Sequence, residues 1–387
     1  MKLNEICEVY SGYALKSFND EEDGFPVIKI GNILIDGTLN LDECQYTTDS
    51  VNEKYYSNKG DIYIALSGAT TGKIGIMDAD ERYVVNQRVG IVRKKSDKIP
   101  QEYIKYFLLR QTDRILQEAA GCAQPNISPK QIAEYSVPEI SKDKMFEVCS
   151  VLDKTKRIIH MRKTELTALD NLIKARFVEM FGDPKINPFN WNVVNISQIV
   201  SGKVSNGFFA RRDDYCDDGN VGVLGVANIV NRMYSKIEEL PRTNANDEDI
   251  KKFEVKYGDM LFCRSSLVAE GIGKASIIPK NIQRNILFEC HVIRLPLDLK
   301  ICIPEFIQTL STMNFFRNQI ITQSKTATMT TIGQDGILKA DIILPPIEKQ
   351  KDFYNFVHQV DKLKLQVQKS LDETQLLFDS LIQQYFG

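Results

Sequence analysis

Residues 172–182 read LIKARFVEMFG, and residues 381–387 read LIQQYFG. Both runs begin with Leu-Ile and end with Phe-Gly. Working back from each run, the two halves of the chain stay in step for roughly two hundred residues. This period is far longer than that of a solenoid repeat, so each copy has room for a domain followed by an arm. The sequence therefore predicts two related halves, and a partner that also has two halves.

The front of each copy carries β-strand signals at matching places. Residues 27–33 are answered by residues 223–229, and a Gly-Asp pair leads into an apolar run at Gly60-Asp61 and again at Gly258-Asp259. Gly-Asp supplies a turn, and the β-branched or aromatic residues after it favour a pleated sheet. We expect globular units over 1–141 and 192–346, whose opening residues pair Ser11-Gly12 with Ser201-Gly202.

Each globular unit is followed by an arm with helical periodicity, over 142–182 and 347–387, and residues 183–191 form a linker. Apolar positions in the first arm are separated by alternating steps of three and four, which is the spacing of a coiled-coil seam. The second arm repeats these steps through Phe353, Phe356, Val360, Leu363, Val367, Ser370, Thr374, Leu377 and Leu381. Nine matched positions favour mutual packing over the simpler alternative, in which each amphipathic helix packs on its own domain.

The predicted fold class is therefore α+β, with two repeated globular domains, each followed by a long helix. If the repeat axis relates the two helices, they pack as an antiparallel coiled coil. Gly182 and Pro184 are expected to end the first helix, because glycine suits the position after a helix and proline cannot continue it. Candidate interface residues in the seam are Leu152, Ile159, Leu166, Leu169, Ile173, Val360, Val367, Leu377 and Leu381.

Composition sets only wide limits on function. The net charge of −2 is not that of a basic nucleic-acid-binding domain, but a basic face can coexist with acidic surfaces. The eight cysteines are scattered without a C-x-x-C pair, and Cys290-His291 has no further ligands, so we expect reduced thiols and no metal site. No apolar run approaches the ~18 residues of a membrane span. We expect a cytoplasmic protein.

Three motifs that suggest enzymes lack essential residues. The glycine loop at 68–73 has three residues between its glycines instead of four, and Ile74 replaces the hydroxyl residue of a phosphate-binding loop. Residues 271–273 are too short for a dinucleotide fingerprint. Asn187-Pro188-Phe189 lacks the second proline of the adenine methyltransferase motif and has no cofactor loop beside it. We therefore expect neither catalytic residues nor a cofactor.

The order of globular unit, long helix, globular unit and long helix resembles the specificity subunit of type I restriction-modification systems. The resemblance covers essentially the whole chain and is most specific at residues 174–184, at the two Gly-Asp strands and at residues 344–350, where the second helix begins. The first copy departs from the last pattern, reading Val137-Pro138-Glu139-Ile140-Ser141. The resemblance implies a non-catalytic subunit with two target-recognition domains, which read an asymmetric bipartite site in double-stranded DNA.

The same resemblance implies that the two helices act as a spacer and dock two methyltransferase subunits, with restriction/translocase subunits joining the larger complex. Two other classes remain open: a coiled-coil assembly protein that binds only protein, and a methyltransferase fused to its own reader. Arg, Lys, Asn and Gln read base edges, whereas Ser and Thr more often hold phosphates. Candidate DNA contacts are polar or basic loop residues: Ser67, Thr70, Thr71, Lys73, Asn86, Gln87, Arg88, Gln124, Asn126, Asn206, Arg211, Arg212, Arg264, Ser265, Ser266, Lys274, Lys325, Thr326 and Thr328.

Overall fold

The computed structural model describes residues 1–96, 98–120, 125–267, 269–326 and 329–387. The chain divides into two units, and each unit contains residues from both copies of the repeat. Unit 1 contains Met1–Lys163 and Lys369–Gly387, and unit 2 contains Thr164–Gln368. Each unit therefore holds one globular region together with one part of each long helix.

Before the linker, the described part of unit 1 contains seven short strands and five helices, and the fifth helix continues into unit 2. The strands are β1 (Cys7–Ser11), β2 (Phe25–Ile28), β3 (Gln45–Thr47), β4 (Ile62–Ala65), β5 (Ile74–Ile76), β6 (Val84–Val85) and β7 (Val89–Lys94). The helices are α1 (Leu3–Ile6), α2 (Gln101–Arg110), α3 (Thr112–Ala119), α4 (Pro129–Ala133) and α5 (Lys142–Phe181).

The described part of unit 2 contains twelve strands and the first part of a second long helix, which continues into unit 1. The strands are β8 (Asn192–Asn195), β9 (Ser205–Asn206), β10 (Val221–Leu224), β11 (Arg242–Thr243), β12 (Asp259–Cys263), β13 (Ser265–Ser266), β14 (Ala275–Ile277), β15 (Ile286–Phe288), β16 (Val292–Pro296), β17 (Lys325–Thr326), β18 (Thr330–Thr331) and β19 (Asp341–Leu344). The helices are α6 (Val226–Ile229), α7 (Asp247–Phe253), α8 (Pro304–Ser311), α9 (Asn314–Gln323), α10 (Gln334–Leu338) and α11 (Ile347–Phe386).

Two sheets recur in both units with the same strand order. Each has an antiparallel four-stranded sheet, in the order β5-β4-β7-β1 in unit 1 and β14-β12-β16-β9 in unit 2. Each also has a three-stranded sheet, β3-β2-β6 or β11-β10-β15, in which the central strand has one antiparallel and one parallel neighbour. The internal repeat read from the sequence is therefore a repeat of sheet topology.

Hydrogen bonds refine which residues of the two copies correspond. Gly12 donates its N–H to Val89 O (2.9 Å), and Gly207 donates in the same way to Val292 O (3.2 Å). At both glycines an added Cβ would lie within 2.2 Å of a carbonyl oxygen of the neighbouring strand, so no larger residue fits. The predicted pairing of Gly12 with Gly202 is therefore wrong by five residues, because sequence spacing does not report which carbonyl a glycine approaches.

The paired Gly-Asp turns form as predicted. Gly60 and Gly258 have φ values of +89° and +97°, in the region that favours glycine. The following aspartates accept a backbone N–H within the turn, from Asn58 (2.8 Å) and Lys256 (2.9 Å). Asp61 also forms an ion pair with Arg93 (2.6 Å).

An aromatic cluster in unit 2 joins both long helices to the globular region. The Phe177 ring lies 5.0 Å from Phe181, 5.2 Å from Phe306 and 5.5 Å from Phe353 between ring centroids. Helix α5 ends at Phe181, and Gly182 takes a positive φ of +77°, as predicted for the residue after the helix. The only tryptophan, Trp191, donates its indole N–H to Phe181 O (3.0 Å).

Unit 1 contains a corresponding cluster made with the last turns of α11. Tyr103 lies 4.9 Å from Phe386, and Tyr106 lies 6.1 Å from Phe378. Phe107 packs on Phe386 as well, and Ile382 is buried in the same core. The end of the second copy's helix therefore completes the core that the first copy's domain begins.

In α5 the positions predicted for the seam are buried or half-buried, and in α11 two of them are exposed. Leu152, Ile159, Ile173, Val360 and Val367 are buried, and Leu166, Leu169 and Leu381 are half-buried. Leu363 and Leu377, however, are 50% and 53% exposed. The apolar face near the end of α11 follows Phe378, Ile382 and Phe386 instead, in the spacing of Ile173, Phe177 and Phe181.

The physical reason for this error is a difference in phase. The predicted frame aligned Ile173 with Leu381, whereas burial aligns Ile173 with Phe378, three residues earlier. Because three residues fall short of a full turn of 3.6 residues, the two alignments place the buried face at different angles around α11. Leu377 lies on the predicted face and outside the observed one. No helix among the described residues is long and apolar enough to span a membrane.

Candidate nucleic-acid interface

Three loop segments of unit 1 meet at one end of its four-stranded sheet. Ser67, the second residue after β4, forms an antiparallel bridge with Asn126. Leu66 donates its N–H to Arg88 O (2.9 Å), which brings the β6–β7 turn beside the same strand end. Asn86, Gln87 and Arg88 form that turn, and the Asn86 side chain accepts the N–H of Arg88 (3.1 Å). The structure thus brings together residues that lie up to sixty positions apart in the sequence.

Within this group the side chains differ in availability. Gln87 and Arg88 are exposed, and Lys73 is half-buried. Thr71 is buried, and its hydroxyl donates to Gly68 O (2.7 Å). The Thr71 hydroxyl therefore stabilises the glycine loop and is not free for a ligand. Gln124, also predicted from the sequence, lies outside the described residues.

In unit 2 the equivalent sheet end carries a small three-stranded ribbon. Ser265 and Ser266 of β13 pair with Thr331 and Thr330 of β18, and β18 pairs in turn with Lys325 and Thr326 of β17. Both β17 residues are exposed. The bridge between Ser67 and Asn126 occupies the corresponding place in unit 1. Thr328 lies outside the described residues.

Arg264 is positioned at the base of this ribbon. Its N–H donates to His291 O (2.8 Å), and its Nη1 donates to Cys290 O (3.2 Å). This turn between β15 and β16 matches the turn between β6 and β7, so His291 occupies the place of Arg88. Burial raises the pKa of the Cys290 thiol, which therefore stays neutral and adds no negative charge.

His291 is a further candidate interface residue that was not predicted from the sequence. Its side chain is exposed. The alignment of residues 84–89, VVNQRV, with residues 287–292, LFECHV, would have found it. From the sequence, His291 was considered only beside Cys290, as a metal ligand that lacks further partners.

The remaining predicted residues of unit 2 fall into two places. Cys263 donates its N–H to Lys274 O (2.8 Å), which places Lys274 directly before β14 and beside the ribbon's base. Asn206 accepts a hydrogen bond from Gln334 (3.2 Å). Arg211 and Arg212 belong instead to an exposed turn that the Asp214 carboxylate closes by accepting the Arg211 N–H (2.6 Å). The structure does not gather these two arginines into the ribbon.

The charges at these strand ends favour an anionic ligand. In the described part of the chain, no carboxylate forms an ion pair with Lys73, Arg88, Arg264, Lys274 or Lys325. Cations suit phosphates, and the neighbouring amides and hydroxyls suit base edges or phosphate oxygens. Among the described residues no group of three or more His, Cys, Asp or Glu side chains could hold a metal ion. The loops thus present hydrogen-bond donors and acceptors together with positive charge, and this arrangement suits the binding of an anionic ligand.

Comparison with known proteins gives a consistent result for both copies. The family model described as "Type I restriction modification DNA specificity domain" matches residues 1–168 and 188–374. The type I restriction enzyme EcoBI specificity subunit of Escherichia coli is 21% identical over 418 aligned positions, covering 100% of this chain and 85% of the relative.

Solved structures share the fold. The type I restriction-modification S subunit from M. genitalium aligns with a TM-score of 0.52 at 12% identity, covering 100% of this chain and 95% of that one. A chain from the structure described as "Structural basis underlying complex assembly and conformational transition of the type I R-M system" aligns with a TM-score of 0.53 at 14% identity, covering 100% and 96%.

Proposed function

The chain belongs to the type I restriction-modification DNA specificity family, and from this premise we propose that it reads a bipartite, asymmetric site in double-stranded DNA. The family consists of specificity subunits, and the chain is not an enzyme. Each globular region, 1–141 and 192–346, acts as the target-recognition domain for one half of the site. The strand-end loops are the reading surface in each domain.

One observation carries this proposal. The same sheet topology presents the same loops twice, but with different side chains, such as Arg88 in one copy and His291 in the other. A shared frame with different contact residues suits two half-sites of different sequence. Two copies of one reader with identical side chains would instead suit a palindrome.

The test is to exchange residues 1–141 for the first domain of another family member and map methylated adenines in cells that carry the methyltransferase partner. We expect one half of the methylated site to change and the other half to stay. The matched control exchanges residues 192–346 and is expected to change the opposite half. A change in both halves, or in neither with the complex intact, would contradict the modular reading.

We further propose that α5 and α11 pack as an antiparallel coiled coil that spaces the two domains. Support comes from contacts within each unit. In unit 1 the last turns of α11 contribute Ile382 and Phe386 to the core that also contains Leu152 of α5. In unit 2 the other ends of the helices are joined by an ion pair between Lys364 and Asp170 (2.6 Å) and by the packing of Phe177 on Phe353.

The helices would then determine the gap between the two half-sites. A helix of forty residues is about 60 Å long at 1.5 Å per residue, and B-DNA rises 3.4 Å per base pair. Inserting four residues between Leu166 and Leu169 adds about 6 Å to α5 and nearly preserves its apolar face. We expect the same two half-sites with a longer gap. Normal activity with an unchanged gap would exclude the spacer role.

We propose that the exposed apolar residues of the two helices dock methyltransferase subunits, one pair for each specificity subunit, with restriction/translocase subunits joining the larger cytoplasmic complex. Phe146, Met161, Leu365, Leu376 and Leu377 are all exposed in the chain alone. Large apolar side chains on a charged helix surface favour a protein partner. Leu365→Ser and Leu376→Ser should weaken binding of the methyltransferase subunit without unfolding the chain, as measured by co-purification and circular dichroism.

A further inference from the structure

Unit 2 contains a cavity of about 350 Å³ that shares only Lys274 with the proposed reading surface. Its wall is formed by α5, by the loop after α6, by the start of β14 and by α8 and α9. Four cationic side chains line it: Lys174, Arg232, Lys274 and Arg317. Asp170 is the one carboxylate among the described lining residues.

Three of these cations donate hydrogen bonds to neutral groups. Lys274 Nζ donates to the Asn231 amide oxygen (2.8 Å), and Arg317 Nη2 donates to Glu270 O (2.9 Å). Arg232 donates to the carbonyl oxygens of Val230 and Ala227 in its own loop (3.3 and 3.4 Å). These hydrogen bonds orient the side chains of Lys274, Arg317 and Arg232, and they do not neutralise the positive charges.

The lining carboxylate does not supply the missing charge. Asp170 accepts a hydrogen bond from Lys364 Nζ at 2.6 Å and is thereby paired outside the group of four. Within the described ranges, Lys174, Arg232, Lys274 and Arg317 form no ion pair. Burial lowers the pKa of the Arg317 guanidinium, as expected for a cation that is partly removed from water without a counter-charge.

The size and charge of the cavity select one class of ligand. Small-molecule sites occupy roughly 300–1,000 Å³, and the cavity lies within this range. A metal cation is excluded by four like charges. A phosphate offers several acceptor oxygens and up to two negative charges per group, and charge-assisted hydrogen bonds from Arg and Lys to phosphate are among the strongest in proteins.

We propose that this cavity binds a phosphate group. Two sources have this chemistry: a free phosphate ester, and a backbone phosphate of bound DNA, since Lys274 also lies beside the base of the ribbon. Only the DNA source rests on the proposed function. A free phosphate ester would make the cavity a separate site on the same unit.

The first arm of the test uses inorganic pyrophosphate as the probe, titrated into the full-length chain by calorimetry at low ionic strength. We expect binding to the unsubstituted chain, weakened at least tenfold by Lys174→Gln and by Arg317→Gln. Lys203→Gln, an exposed lysine of unit 2 outside the cavity, is the matched control and should bind as the unsubstituted chain does. Lys174 is exposed on α5, so its variant keeps the test valid if Arg317→Gln fails to fold.

The second arm measures binding of duplex DNA against salt concentration, using the chain in complex with its methyltransferase partner. A fall of about one in the salt slope for Lys174→Gln or Arg317→Gln, with the same bases recognised, identifies the DNA backbone as the source. An unchanged slope with tenfold weaker pyrophosphate binding identifies a free phosphate ester. The proposal is overturned if both variants match the control in both arms. Failure of the complex to bind DNA would refute the proposed function and leave the pyrophosphate arm to decide this one.

Discussion

Replacing Phe177 with alanine should destabilise unit 2 far more than replacing its neighbour Val178. Phe177 is fully buried, with three phenylalanine rings within 5.5 Å of its centroid, whereas Val178 is 45% exposed. Removing a fully buried phenylalanine costs about 3–5 kcal/mol, and an exposed valine less than about 0.5 kcal/mol. The two residues are adjacent on one helix, so helix propensity and chain position are closely matched.

The fluorescence of Trp191 is the assay, because this tryptophan is hydrogen-bonded to Phe181 at the end of the same helix. With a urea m-value of about 2–3 kcal/mol per M, Phe177→Ala should lower the midpoint of the fluorescence transition by roughly 1–2.5 M. Val178→Ala should shift it by less than about 0.3 M. Equal shifts for the two variants, or no shift for Phe177→Ala, would mean that α5 is a separate rod and not part of the core of unit 2.

Three further outcomes are expected. Phe378→Ala should lower the thermal midpoint of unit 1 by several degrees, and Leu377→Ala should leave it unchanged. The opposite result would mean that Leu377, as predicted from the sequence, and not Phe378 lies on the buried face. Burial raises the pKa of the Glu305 carboxyl, so this group contributes stability below its unfolded pKa that is lost as pH rises through its folded pKa. The free energy of urea unfolding of Glu305→Gln should therefore depend less on pH between 4 and 8 than that of the unsubstituted chain. An unchanged pH profile would contradict this. Arg88→Ala and His291→Ala should each relax recognition in one half-site only, and methylation mapping that shows both halves intact for either variant would remove that residue from the reading surface.

Much of the architecture could be predicted because it depends on local patterns. The Gly-Asp turns have conformations that glycine favours, and their strands follow directly in sequence. The two long helices were visible from spacing alone, as was the end of the first helix at Gly182. These features need no knowledge of distant residues, and periodicity reports them directly.

Other features depend on contacts between distant segments and could not be predicted in this way. Periodicity shows that a helix has an apolar face, but not which domain covers that face. For this reason Leu377 was predicted on the buried face although it is exposed. Thr71 carries a hydroxyl that could bind a phosphate, yet this hydroxyl donates its hydrogen bond to the carbonyl oxygen of Gly68. His291 becomes comparable with Arg88 only when the β15–β16 turn is recognised as the counterpart of β6–β7.

The divided composition of unit 1 has a consequence for its synthesis on the ribosome. Residues up to Lys163 emerge early, but Ile382 and Phe386, which belong to the same core, emerge about two hundred residues later. At ~5–20 residues per second this delay is about 10–40 s, far longer than the time in which helices and hairpins form. Throughout that interval Tyr103 and Phe107 lack the ring that covers them in the finished protein. The nascent chain therefore exposes an apolar aromatic surface. Chaperone binding should concentrate on this surface until the last turns of α11 are synthesised.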